Sequence, residues 1–455
     1  MKKRVAPIAV LAVFCGLMAA QSQSVPSAKI TKQLPAVVSQ PTKFHRTLAL
    51  ISSDAQQPPP TDEFCRINYG FPCYSPQEIQ NAYGVTPLLN SGYNGTGQTI
   101  VIIDAYGSPT IAQDLHAFDV GFGLPDPPSF TILTPLGTVP FNPNDPWQLA
   151  WAGETTGDVE ASHSMAPGAN IVLLTSPVNE TEGVQGLPQF LYLEQYALEH
   201  KLGNIISQSW GVTENTLFTP EGQKLIADFE AIYQEAAKEN ITVLAGTGDT
   251  GVANFDINLN YYPFPTVGWP ASSPSVTAVG GTTLYADTLG NYQYEIGWGN
   301  PYTGASGGGV SQQFAEPSYQ FSLPASIQTA LNNHRGIPDV AFNGDLLQTY
   351  ILYIGYLGPQ YAGFYPVGGG TSAGSPNWAG IVADLNQQAG HPLGFLNPML
   401  YAMHGESGFL RDIVVGTNAA NGLPGYLATP GWDFVTGWGT PYADGLFSGV
   451  AKTKD

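Results

Sequence analysis

Five short runs rich in Val, Ile and Leu recur along the chain: QTIVIIDA (98–105), ANIVLLTS (169–176), NIISQSWG (204–211), ITVLAGTGD (241–249) and SVTAVGGT (275–282). None shows the polar–apolar alternation of a strand with one wet face, so each is expected to lie buried between two layers. LPQFLYLEQYALEHKLG (187–203) and EGQKLIADFEAIYQEAAKEN (221–240) carry apolar residues at helical spacing between them. Strands alternating with helices imply crossover connections. The expected fold is therefore α/β, a mainly parallel central sheet flanked by helices in a single large domain. With 455 residues, 43% of them hydrophobic, the chain is long enough to bury such a core.

The two ends read differently. MKKRVAPIAVLAVFCGLMAAQSQS has three basic residues, a short apolar run and small residues near Ala20, the pattern of a secretory signal peptide over residues 1–22. Phe14 before Cys15 is too bulky for a lipoprotein cleavage site, and no later segment is apolar for long enough to span a bilayer. An exported protein, secreted or periplasmic and with no membrane partner after signal removal, is expected. Residues 23–64, rich in Pro, Gln and Ser and basic at Lys29, Lys32, Lys43 and Arg46, read as a linker or short pro-segment ahead of a domain over 65–451. Once Cys15 is removed, Cys65 and Cys73 are left, open either to a disulfide or to burial as free thiols.

Charge excludes one class of partner. Between Cys65 and Ala451 there are six Lys and Arg against 31 Asp and Glu. Such a body repels nucleic acid. The acidity serves solubility, or work at low pH where protonation relieves the self-repulsion.

Three stretches carry residues suited to chemistry, each with a plainer reading beside it. GGGTSAGSPNWAGIVADLNQ (368–387) sets Ser372 among small residues at the mouth of a helical pattern. That is a helix cap, or a nucleophile beside unpaired N–H groups that a developing oxyanion could use. In WAGETTGDVEASHSMAPGAN (151–170), Glu154 and Asp158 share one helix face. They form a solvated acidic face, or a pair sharing a proton in a cleft. His163 in the same stretch, with Asp104 and Ser372, would make a conventional Ser/His/Asp triad. Asp249 in LAGTGDTGV (244–252) follows a buried strand, where α/β sheets bind ligands. It forms an Asx turn, or a protonated donor to an oxyanion.

Taken in order, Glu154-x-x-x-Asp158, Asp249 in GDTG, and Gly370-Thr371-Ser372-Ala373 with Pro376 resemble the sedolisin, or serine-carboxyl peptidase, family. SQSWG (207–211), VGWPASSPSVTAVGGT (267–282), SGGGVSQQF (306–314), RGIPDVAF (335–342) and YSPQEIQNAYGV (74–85) fit it too, over about residues 65–450. The resemblance implies a subtilisin-like fold and an acid-active endopeptidase, a monomer acting on protein or peptide substrates. Ser372 would be the nucleophile, Glu154 its base, Asp158 the partner that orients Glu154, and Asp249 the oxyanion-hole donor. Asp104 and His163 would be structural.

The resemblance also implies one bound calcium ion. RDIVVGTN (411–418) and LATPGWDFVTGWGTP (427–441) would supply the carboxylates of Asp412 and Asp433 and the carbonyls of Ile413, Thr429 and Gly431. These are hard oxygen donors of the kind calcium takes. Thr429 stands where the family usually has glycine. A further departure is the lack of the family's usual large pro-domain. Two rival functions stay open: a Ser/His/Asp peptidase at neutral pH, and a catalytically inactive extracellular binding homologue.

Overall fold

In the structure, a computed structural model describing residues 58–403 and 408–452, all five apolar runs are strands of one eight-stranded sheet. We number the strands used here β1 (Cys73–Tyr74), β2 (Thr99–Ala105), β3 (Phe130–Leu133), β4 (Asn170–Ser176), β5 (Ile205–Gln208), β6 (Thr242–Gly246), β7 (Thr277–Ala286), β8 (Tyr292–Gly297) and β9 (Val340–Asn343). Their order is β8-β7-β6-β5-β2-β4-β3, with β9 also paired to β7. Every pairing in this sheet is parallel except β8 with β7. The expected mainly parallel α/β architecture is what the chain adopts. A second sheet of three strands joins β1 to Thr349–Ile354 and Gly363–Gly368.

The helices follow from local signals. We number α1 (Asp62–Asn68), α2 (Ile111–Phe122), α3 (Pro146–Met165), α4 (Leu187–Glu199), α5 (Pro220–Lys238) and α6 (Thr371–Ala389). Asp145 caps α3 by accepting the Trp147 N–H at 2.9 Å, and Pro146 at the first position needs no partner. Thr219 and Pro220 open α5 in the same way. Gly370, with φ of 80°, turns the chain into α6, a conformation that a side chain would strain. α6 ends on Gly390 in the left-handed region.

α3 and α6 cross closely. A Cβ at Gly380 would fall 2.4 Å from the Met165 Cβ, so glycine there sets how near the helices come. The Ser375 hydroxyl lies 2.9 Å from that of Ser207 on β5, tying α6 to the centre of the sheet.

One expected boundary moves. The linker was read as running to residue 64, yet α1 begins at Asp62 under a Thr61 cap. Asp62 is buried, pairs with Arg66 at 2.7 Å and accepts the Cys73 N–H at 3.1 Å. Polar residues at 61–63 looked like linker because these partners lie outside the stretch. Cys65 and Cys73 form a disulfide. The expected signal peptide and the expected linker up to residue 57 lie outside the described residues.

The interior holds carboxyl groups without cations. Glu194 on α4 and Asp384 on α6 are fully buried, and neither has a hydrogen-bond partner among the described residues. Burial pushes Glu194 up to about 8 and Asp384 well above the usual carboxylate range. Between the unfolded value near 4 and the folded value, the unfolded chain releases a proton that the folded one keeps. Stability is therefore full in acid and falls as pH rises, by about 1.4 kcal/mol per pH unit for each such group. Calorimetry should find the melting temperature falling from pH 5 to pH 8. Asp384→Asn should raise it at pH 8 and leave it nearly unchanged at pH 4. Equal melting temperatures at both pH values would show that these groups are not held neutral.

Candidate active site

A parallel sheet points all its carboxyl ends one way, and loops leaving that edge meet over it. Asp104 is the penultimate residue of β2, Ser209 follows β5, Asp249 lies three residues beyond β6, and Glu180 four beyond β4. α3 brings Glu154 and Asp158 to the same edge, and α6 starts there with Ser372. The four expected residues Ser372, Glu154, Asp158 and Asp249 thus come together, all buried.

The contacts run in a chain. The Ser372 side chain lies close enough to the Glu154 carboxyl to favour its charged form. Asp158 Oδ1 accepts from Ser209 Oγ at 3.0 Å, and the carboxyls of Asp158 and Asp104 are near enough to act on each other. Thr155 lies beside Asp104 and favours its charged form. Neighbouring buried carboxyls do not all ionise together, so the group holds protons. Burial above all, then the neighbouring charges of Asp104 and Asp249, push Glu154 well above the usual range, while Ser372 works the other way. Burial, then Asp104 and Glu154, do the same to Asp158. Burial raises Asp104 to about 7. The three titrate as a unit.

Pro376 explains a further contact. Proline has no N–H for the carbonyl four residues back, which here belongs to Ser372. Ser209 Oγ approaches that carbonyl at 3.2 Å, so one hydroxyl touches both α6 at Ser372 and α3 at Asp158. On the other side of Ser372, Asp249 Oδ1 accepts the Thr371 N–H at 2.8 Å and the Thr371 hydroxyl at 2.9 Å. With Oδ1 acting as acceptor, a proton on Asp249 belongs on Oδ2.

His163 is elsewhere. It lies nine residues past Glu154, about half a turn around the helix. Its Nε2 sits 2.8 Å from the Pro125 carbonyl and 3.2 Å from Asp119 Oδ1 on α2. The structure does not assemble the Ser/His/Asp triad. Asp104, read from the sequence as structural or as part of that triad, instead joins the acid pair.

At the other proposed site, Asp412 Oδ2 accepts the Gly431 N–H at 2.8 Å, tying one loop to the other, and Asp433 Oδ2 accepts the Thr429 N–H at 2.9 Å within its own loop. Asp433 Oδ1 accepts from Val435 and Thr436. Among the described residues none donates to the carbonyls of Ile413, Thr429 or Gly431. Two carboxylates and three unclaimed carbonyls on one loop pair fit a hard cation. Among the described residues there is no cluster of three or more His, Cys, Asp or Glu with metal-binding spacing.

A family model described as the Subtilase family matches residues 143–439, a span that includes α3, the 249 turn and α6. The chain belongs to the subtilase family. Among curated proteins, this subtilase is 34% identical over 375 residues to kumamolisin of Bacillus sp. (strain MN-32), covering 81% of this chain and 62% of that protein. It is 30% identical over 377 residues to sedolisin of Pseudomonas sp. (strain 101), covering 81% and 59%. It thus spans about three fifths of the length of these relatives. Among solved structures, Pseudomonas sedolisin (serine-carboxyl proteinase) complexed with two molecules of pseudo-iodotyrostatin matches with a TM-score of 0.69 at 27% identity, covering 85% of this chain and 100% of that one. The sedolisin resemblance seen in the motifs holds, and with it the subtilisin-like fold.

Two contacts of the subtilase site had no place in the sequence reading: Ser209 bridging Asp158 and the Ser372 carbonyl, and Asp104 against Asp158. Ser209 follows a buried strand and Asp104 is the last residue but one of another, close to the signal that singled out Asp249. Burial keeps Asp104 protonated below about pH 7, so asparagine there replaces a group that is already neutral in acid. In Asp104→Asn the acid limb of the kcat/KM profile should stay where it is, and the profiles should part only near pH 7 and above, where an ionised Asp104 raises Glu154 and Asp158. An acid limb displaced by a full pH unit would show that Asp104 carries charge in acid.

Proposed function

We propose that the chain is an exported, acid-active serine-carboxyl endopeptidase. The observation that carries this is the convergence of Ser372, Glu154, Asp158 and Asp249, all buried, at one edge of the sheet, with Ser372 close enough to act on the Glu154 carboxyl. Ser372 Oγ attacks a peptide carbonyl while its proton passes to Glu154. The new oxyanion takes a hydrogen bond from protonated Asp249, beside the N-terminus of α6. Glu154 then gives the proton to the leaving amine, and water repeats the sequence to release the acyl group. Asp158, itself held by Ser209, keeps Glu154 in place and shares its charge.

This assignment predicts an acid optimum. One negative charge spread over Glu154 and Asp158 is enough for the base, while Asp249 has to keep its proton. Rising pH removes that proton, and falling pH fills the base. Hydrolysis of an unstructured protein from pH 2 to pH 8 should peak well below neutrality and vanish in Ser372→Ala. Glu154→Gln should lose several orders of magnitude in turnover, since nucleophile and base act together. An optimum near pH 8 that disappears in His163→Ala would overturn the scheme, as would Glu154→Gln within about tenfold of the parent.

Export rests on the signal-like residues 1–22, and the Cys65–Cys73 disulfide fits an oxidising destination. Among the described residues no helix is long and apolar enough to cross a membrane. Calcium would be held by Asp412 and Asp433 with the carbonyls of Ile413, Thr429 and Gly431, where it would brace the loops 411–418 and 427–441. A metal bound only to the folded state stabilises it by mass action. A chelator should therefore lower the melting temperature, and Asp412→Asn should lower it without any chelator. Elemental analysis finding no calcium in protein purified with the ion present would end the assignment.

A further inference from the structure

The cavity that opens on Ser372 and Asp249 extends between the segments 180–182, 209–213 and 246–250, with a volume of about 720 Å³ including the part open to solvent. Ser372 and Asp249 make it a candidate substrate site independently of what else lines it. Glu180 and Glu182 line it, and no Lys, Arg or His does. The Gly211 N–H lies beside Glu180 and favours its charged form, and Thr213 donates its N–H to Glu182 at 2.9 Å and its hydroxyl at 3.1 Å. A carboxylate so held keeps lone pairs for another donor. Thr247 lines the same cavity, is 2% exposed, and its hydroxyl has no partner among the described residues.

Glycines leave room along part of the cavity, whose lining also includes the aromatic side chains of Trp210, Phe255 and Trp269. Gly211, Gly246, Gly248 and Gly268 line the cavity and put no side chain into it. A Cβ at Gly248 would meet nothing within 4 Å, so the space beside it is open.

We infer that Glu180 and Glu182 make this cavity a specificity pocket for a lysine or arginine side chain of the substrate, next to the bond cleaved at Ser372. The inference rests on the peptidase reading above. An apolar side chain would bury both carboxyls and the Thr247 hydroxyl without giving them partners. A lysine ammonium brings three donors and an arginine guanidinium five, enough for these acceptors together. The charged groups that act on the pair are acidic: Asp104 and Glu182 act on Glu180, and Asp256 on Glu182. Burial lifts Glu180 to about 8 and Glu182 to about 7, and an incoming cation favours their ionised forms.

The test uses the full chain and a peptide series in which lysine, arginine or norleucine occupies each position from three before to three after a single cleavable bond. Cleavage sites are read by mass spectrometry. At one position on the acyl side, lysine or arginine should raise kcat/KM at least tenfold over norleucine. Glu182→Gln, and separately Glu180→Gln, should pull that ratio toward one, whatever either does to the rate on norleucine peptides. Ratios within twofold at every position, or a ratio kept in the doubly substituted protein, would overturn the inference and leave the peptidase reading intact. No Ser372-dependent hydrolysis of any peptide would remove both.

Discussion

The close crossing of α3 and α6 is the constraint on which the rest of the site depends. Glu154 and Ser372 belong to different helices, and glycine at 380 lets those helices approach without an intervening side chain. The pair of hydroxyls at Ser207 and Ser375 then fixes α6 on the sheet, and Ser209, one residue beyond β5, reaches both helices. A proline inside a helix is ordinarily a defect. Here it leaves the Ser372 carbonyl to the Ser209 hydroxyl, so the loss of one helical hydrogen bond is offset by a contact that orients the site.

The same chain solves its acid problem and its catalytic problem with one device. Buried carboxyls normally need cations, and this domain has few: the buried guanidinium of Arg335 is taken by Asp339 at 2.6 Å. Asp104, Glu154, Asp158, Glu194 and Asp384 are instead kept protonated, or share protons, by their burial. Such groups cost little in acid, where the unfolded chain is protonated as well, and become a burden as pH rises. Stability from neutral carboxyls and the proposed scheme's need for a protonated Asp249 therefore belong to the same range of pH. Glu180 and Glu182 extend this logic to the cavity wall, where the missing positive charge is one that a substrate could bring.

Period and punctuation made the core legible. The runs at 98–105, 169–176, 204–211, 241–249 and 275–282 are buried on both faces, so their composition alone marked them as parallel strands, and the observed boundaries differ by a few residues. The short strands β1, 349–354 and 363–368 were not read, because their apolar residues serve a small separate sheet with no strong period of its own. At the site, spacing and Gly-rich surroundings made Glu154, Asp158, Asp249 and Ser372 candidates beside plainer readings, and the resemblance of their ordered motifs to the sedolisin family selected them. His163 and Asp104 did not separate in the same way, since residue type says nothing about which side of a helix, or which strand end, faces a serine more than 200 positions away.

The sequence by itself determined the fold class, the strand and helix positions, the acidic balance and the four residues that meet at the sheet edge. It could do so because hydrophobic period, capping residues and motif spacing are local properties of the chain. Only the tertiary structure decided that His163 turns to Asp119 and Pro125, that Asp104 joins Asp158, that Ser209 ties two helices, and that two glutamates line the cavity beyond Ser372. Those are outcomes of how strand ends and helix faces converge, and convergence depends on packing distances such as the one at Gly380 that no local pattern encodes.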